Sequence, residues 1–318
     1  MTTKKHNEMK KIIVSAALAA LTLCTLNAQD LSQVTDIYNT GATALSSGDR
    51  EGALKSFEQA LNLAEALGEE GAEVAANCKN VIPNLYLAIA KDLVKSSDYD
   101  GAAAKAKAAI EVAKKFADES VEAQATELIP QIALQKGGAL LNAKKYAEAA
   151  AAYKEVLDAD PTNGVAALRL GMAYNGAGQV EEAKAALETA LANGQEKSAG
   201  KLLGTIHLKD AVSALKAKDY GKAVEAAVKS CEYTESAQAY QIAAQASQIS
   251  NKTDDAIKYF EKYLELSPNA KNATQIAYIV GTLYQQQKNN AKAVEFYSKA
   301  VNDPTYGAEA KKQINALK

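Results

Sequence analysis

One spacing constrains this chain more than any other: an alanine, then four residues later a large apolar residue or a second alanine, returning seven times. It is written as Ala53 with Phe57 and Ala60, Ala102 with Ala106 and Ala109, and Ala149 with Tyr153. It returns as Ala183 with Leu187 and Ala190, Ala223 with Ala227, Ala256 with Phe260, and Ala293 with Tyr297. Residues three and four apart share one helix face, so each copy reads as a helix offering a narrow, close-packing stripe. The steps between successive first alanines are 49, 47, 34, 40, 33 and 37 residues. A unit of that size cannot bury its apolar face alone and has to stack on its neighbours. The composition agrees, with no Trp and only five Pro in 318 residues, a balance that favours helix and leaves few segments with the alternation of strands.

The copy around Leu170-Gly171-Met172-Ala173-Tyr174 and Ala183 resembles the tetratricopeptide repeat (TPR) pattern W-x-x-L-G-x-x-Y…A-x-x-x-F…P, whose period is about 34 residues. The resemblance implies an all-α protein, a right-handed α-α superhelical solenoid of about seven TPR helix pairs with a C-terminal capping helix. On this basis the repeats occupy residues 29–304 and start near residues 34, 83, 130, 164, 204, 237 and 274. Residues 305–318 form the cap, with Ala310, Ile314 and Leu317 on one side. Turns within pairs are expected at Ser47-Gly48-Asp49, Ser97-Asp98-Tyr99, Ala177-Gly178-Gln179 and Lys288-Asn289-Asn290, whose residue types end one helix and cap another. Prolines are expected to start the helix that follows, where a missing N–H is harmless. The two long steps, ending at Pro83 and Pro130, predict lengthened second helices in the first two repeats.

Met9-Lys10-Lys11 followed by an apolar run from Ile12 to Leu23 has the form of a secretory leader, too short to span a bilayer comfortably. Residues 1–28 are therefore expected to be removed after Ala28, with translation starting at either Met1 or Met9. Cys24 raises lipid anchoring as an alternative, but bulky Leu23 precedes it. No second apolar stretch reaches spanning length, so the expected product is periplasmic or secreted.

The formal net charge is -2, and only Arg50 and Arg169 carry the guanidinium fork that reads bases and clamps phosphates. The leader holds Lys4, Lys5, Lys10 and Lys11 against Glu8, so the remainder is more acidic still, and nucleic acid is an unexpected partner. Outside the leader the one histidine is His207, expected in the core or on a flank. The run from Gly194 to Leu202 falls short of a phosphate loop, because its spacing is one residue too long and Leu202 replaces the hydroxyl. No catalytic residue, metal ligand or cofactor is expected.

In the repeat family the first helix of each pair lines the concave surface. Carried onto this sequence, those positions are Gln238, Gln241, Ile242, Gln245, Gln248 and Ile249, then Gln275, Tyr278, Ile279, Thr282, Gln285 and Gln286. A glutamine amide both donates and accepts, so such a wall suits the main chain of an extended peptide, although Gln is also simply a soluble helix former. The middle repeats offer Leu134, Leu141, Leu168, Arg169, Met172, Leu208 and Val212. The expected function is a non-enzymatic protein-binding scaffold or adaptor in the bacterial cell envelope. The competing expectation is a carbohydrate-binding accessory protein of an outer-membrane uptake system.

Overall fold

The computed structural model describes residues 28–317, and within them the chain is helix and turn. The leader, Met9 and Cys24 lie outside the described residues. A first compact unit, ending at Ala159, holds α1 (Ala28–Ser47), α2 (Arg50–Ala66), α3 (Ala72–Lys95), α4 (Tyr99–Phe116), α5 (Glu119–Asn142) and α6 (Tyr146–Ala159). A second unit, beginning at Asp160, holds α7 (Gly164–Ala177), α8 (Val180–Ala192), α9 (Glu196–Lys216), α10 (Tyr220–Tyr233), α11 (Ala237–Ile249), α12 (Thr253–Leu266), α13 (Ala273–Gln286), α14 (Asn290–Ala300) and α15 (Gly307–Leu317). Each odd-numbered helix up to α13 packs on the helix that follows it, making seven pairs, and α15 packs on α14.

The seven corners inside these pairs share one backbone geometry. A single residue turns left-handed: Gly48, Ser97, Lys144, Gly178, Lys218, Asn251 and Lys288, with φ between 57° and 91°. The amide after it then donates to the carbonyl five residues back, as Asp49 N to Ala44 O, Asp219 N to Ala214 O and Asn289 N to Tyr284 O, each at 2.9 Å. This closes the C-terminus of the first helix. At four corners the same residue caps the second helix, with Asp49, Asp98, Asp219 and Asn289 side chains accepting from the amide three residues on.

The pairs close over the repeated alanines. Ala53, Ala102, Ala149, Ala183, Ala223, Ala256 and Ala293 are all fully buried, because a methyl group is the largest side chain that lets two helix backbones approach so closely. The large residue four positions later fills the space over a glycine of the partner helix. A Cβ added at Gly137 would lie 2.6 Å from the Tyr153 ring, one at Gly171 would lie 2.6 Å from Leu187 Cγ, and one at Gly281 would lie 2.7 Å from the Tyr297 ring.

The prolines sit elsewhere than the sequence suggested. Pro83 and Pro130 lie inside the 24-residue helices α3 and α5, and Pro161, Pro268 and Pro304 lie in linkers three or more residues ahead of the next helix. The extra length of the two long steps divides accordingly. The second helices α2 and α4 have 17 and 18 residues against 11 to 14 in later repeats. The larger share goes to the first helices α3 and α5, which begin about three turns ahead of their prolines. A proline costs one N–H and crowds the carbonyl four residues back. At α3 that cost is offset by burial of Pro83 among Ile82, Leu85 and Cys78.

Candidate functional site

The expected binding residues lie mainly on α7, α11 and α13, first helices of the second unit; Leu208 and Val212 lie on α9, and Leu134 and Leu141 on α5 of the first unit. Helix α11 is AQAYQIAAQASQI and α13 is ATQIAYIVGTLYQQ, neither with a charged side chain. On α11, Gln238 and Gln248 are exposed and Gln241 and Gln245 half-buried, and none of the four makes a side-chain hydrogen bond among the described residues. Ile249 at the end of the helix is 54% exposed. Ile242 is different: at 6% exposure it belongs to the core with Ala211, Ala223 and Ala243, because the helix turns it toward α9 and α10. It is therefore a packing residue and not part of an open wall.

On α13 the same positions are largely occupied by the chain itself. Tyr278 stacks on Tyr306 with ring centroids 4.9 Å apart and meets Tyr297 at 5.4 Å. Gln275 donates to the Tyr306 hydroxyl at 3.4 Å. Gln285 accepts from the Tyr297 hydroxyl at 2.6 Å and donates to Gln313 Oε1 at 3.0 Å. Burial, followed by the neighbouring Tyr297 and Glu309, raises the Tyr278 pKa. Ile279 packs against the core of Phe260, Ile276 and Val280. Tyr306 and Gln313 were not singled out from the sequence, because helical period places residues on a face but does not say which later segment lies over it. The aromatic two residues after Pro304 was the available signal.

On α7, Met172 is 41% and Val165 44% exposed, Arg169 is exposed and Leu168 half-buried. These residues lie two repeats before α11, so the structure does not gather them into one pocket with the glutamines.

A second concavity, of about 810 Å³, runs between α8 and α10 over α9. His207 stacks on Tyr233 at 5.6 Å and 5°, and the Tyr233 hydroxyl donates to Glu188. Lys184 bridges Glu181 and Asp210, both at 2.8 Å, and Lys229 pairs with Glu232 at 2.7 Å while lying over the Tyr233 ring. Burial, then the charge of Lys184, depresses the His207 pKa, so the imidazole is neutral at pH 7. In the first unit Cys78 is enclosed in the core, and burial pushes its thiol up to about 12. Among the described residues no three His, Cys, Asp or Glu side chains come close enough to hold a metal ion, and no helix is long and apolar enough to cross a membrane.

Family models described as tetratricopeptide repeat match residues 87–164, 140–206, 237–270 and 274–302, together more than half of the chain. The chain belongs to the tetratricopeptide repeat family. Among solved TPR-like structures it is similar to the crystal structure of MamA protein, at 22% identity over 57% of this chain and 94% of that one, with a TM-score of 0.35. It is also similar to MamA of MSR-1, at 24% identity over 58% and 97%, with a TM-score of 0.31. A third is YrrB, described as a TPR protein with an unusual peptide-binding site, at 23% identity over 57% and 91%, with a TM-score of 0.33. A comparison with curated proteins gave no match. Membership of the TPR family supports a protein-binding scaffold.

Proposed function

We propose that this chain is a non-enzymatic scaffold of the bacterial cell envelope, which binds segments of partner proteins along the first helices of its second unit. The observation that carries this reading is the contrast between α11 and α13. Gln275 and Gln285 on α13 are engaged by Tyr306, Tyr297 and Gln313, whereas Gln286 and the glutamines of α11 have no side-chain partner among the described residues. Amides held at helical spacing without partners are suited to the N–H and C=O groups of an incoming chain, and exposed Ile249 and Met172 give apolar anchors along the same series of helices. The envelope location rests on the leader-like pattern from Met9 to Ala28.

The test is affinity capture from envelope extract with wild type and with a Gln241→Ala, Gln245→Ala, Gln248→Ala triple variant. These side chains make no hydrogen bond among the described residues, so the variant is expected to stay folded, with a melting temperature close to that of wild type. A defined partner retained by wild type and lost by the variant supports the reading; equal capture by both removes α11 as the site. Fractionation of cells expressing the full chain tests location, and finding it wholly with cytoplasmic markers would refute the envelope assignment.

A further inference from the structure

Resting on that reading, we infer that the partner segment received along α11 and the open part of α13 is an uncharged stretch of polypeptide, presenting amide, hydroxyl and aromatic groups and no ionised side chain or terminal carboxylate. Among the fifteen described helices these two are the ones without a charged residue. Charge lies instead on the helices beside them, on the first helix α9 and on the second helices α12 and α14, where part of it is paired locally: Lys262 with Glu265 at 2.8 Å, and Lys292 and Lys299 with Glu295 at 2.9 and 3.2 Å. A charged group brought against α11 would lose water and meet no countercharge on α11 or α13 themselves, and an unpaired buried charge costs several kcal/mol. An uncharged group loses less and finds Gln241 and Gln245 ready to pair. Such a surface selects by rejecting ions rather than by attracting them.

The chain itself supplies an example of an occupant. Where the α13 part of this surface is covered, the covering groups are the Tyr306 ring and hydroxyl and the Gln313 amide. Of the nearby carboxylates, Asp303 accepts from the Thr274 hydroxyl at the start of α13 at 2.5 Å, away from Tyr278 and Gln285, and Glu309 stays with its own helix, accepting from Gln313 at 2.7 Å and pairing with Lys312 at 3.7 Å. A polypeptide is therefore the class of molecule this surface is seen to hold, by phenol stacking and amide pairing without ion pairs.

The experiment is selection of a displayed library of random peptides, about 12 residues long, on the full chain. Dissociation constants of the synthesised winners follow at about 0.05 M and about 0.5 M NaCl, a range over which ionic screening tightens severalfold. The winners are expected to lack Lys, Arg, Asp and Glu in their bound core and to change affinity less than about twofold across the salt range. Gln245→Glu and Gln245→Lys should each weaken binding by about tenfold or more, since either sign of charge is rejected. Winners that are charged and salt-sensitive, yet lost on Gln241→Ala and Gln245→Ala, overturn this inference and leave the proposed binding surface standing. Winners indifferent to every change on α11 and α13 overturn both, as does failure to enrich any peptide together with retention of the chain on an immobilised neutral glucan.

Discussion

At the scale of single residues, Gly281 carries an instructive sign. Gly→Ala inside a helix ordinarily gains up to about 1 kcal/mol. Here the added methyl would lie 2.7 Å from the Tyr297 ring, itself 1% exposed. Gly281→Ala is therefore expected to lose about 1–3 kcal/mol through overpacking, whereas Gly221→Ala on α10, whose nearest neighbour would be 3.9 Å away, should gain about 0.5–1 kcal/mol. Urea midpoints of the two variants check both signs. His207 gives a second residue-level expectation. Its folded pKa lies below its unfolded value of about 6.5, so the unfolded chain takes up the proton first. Stability should be complete above that value and fall as pH drops from it toward the folded pKa. His207→Asn should flatten that part of a stability-against-pH curve, measured by denaturant titration; an unchanged slope would show that another group titrates there. The buried alanines were legible in the sequence because a methyl tolerates no substitute at such close approach, and the same spacing rule exposed them seven times. Ile242 was misplaced because a residue at the border of two helix faces goes to whichever neighbour lies nearer, which spacing alone does not decide.

At the scale of elements, the corners combine a fixed backbone with varied residues. Lys218 and Lys288 hold φ of 61° and 60°, a conformation that costs a side-chain-bearing residue about 1–2 kcal/mol. Lys218→Gly and Lys288→Gly should each raise stability by about 0.5–1 kcal/mol once the greater freedom of glycine in the unfolded chain is deducted. Thermal melts would register this, and no gain would mean that the lysine side chains compensate for their backbone. Helix ends at these corners were readable from Gly48-Asp49 and Asn289-Asn290, where capping chemistry is explicit. The starts of α3 and α5 were not, because Pro83 and Pro130 imitate a helix start and only the tertiary burial around them shows that the helix runs through.

At the scale of the whole molecule, contacts run almost entirely between successive helices within each unit, so local damage should stay local. Removing residues 305–317 uncovers Ala293, Tyr297 and Ala300, which now pack with Ala310, Ile314 and Leu317. Hydrogen exchange is expected to quicken first in α13 and α14 while α7 to α10 keep their protection; uniform quickening across the second unit would instead mark it as one cooperative block. The repeat architecture was written in the sequence seven times over, so loss of any one copy would not have hidden it. What lies over α13 was written once, in Tyr306 and Gln313, and a feature stated once has no period to betray it.

The seven corners are one shape written in different residues. Two are built on glycine, one on serine, one on asparagine and three on lysine, yet all close on the same 2.9 Å bond. A shape that accepts so many spellings leaves the sequence free to drift there, and it makes the junctions interchangeable. A stretch running from one corner to the next begins and ends in the same conformation, so it can be copied or excised without a new joint having to be invented. Copy number in such a chain is then as accessible to change as any single residue.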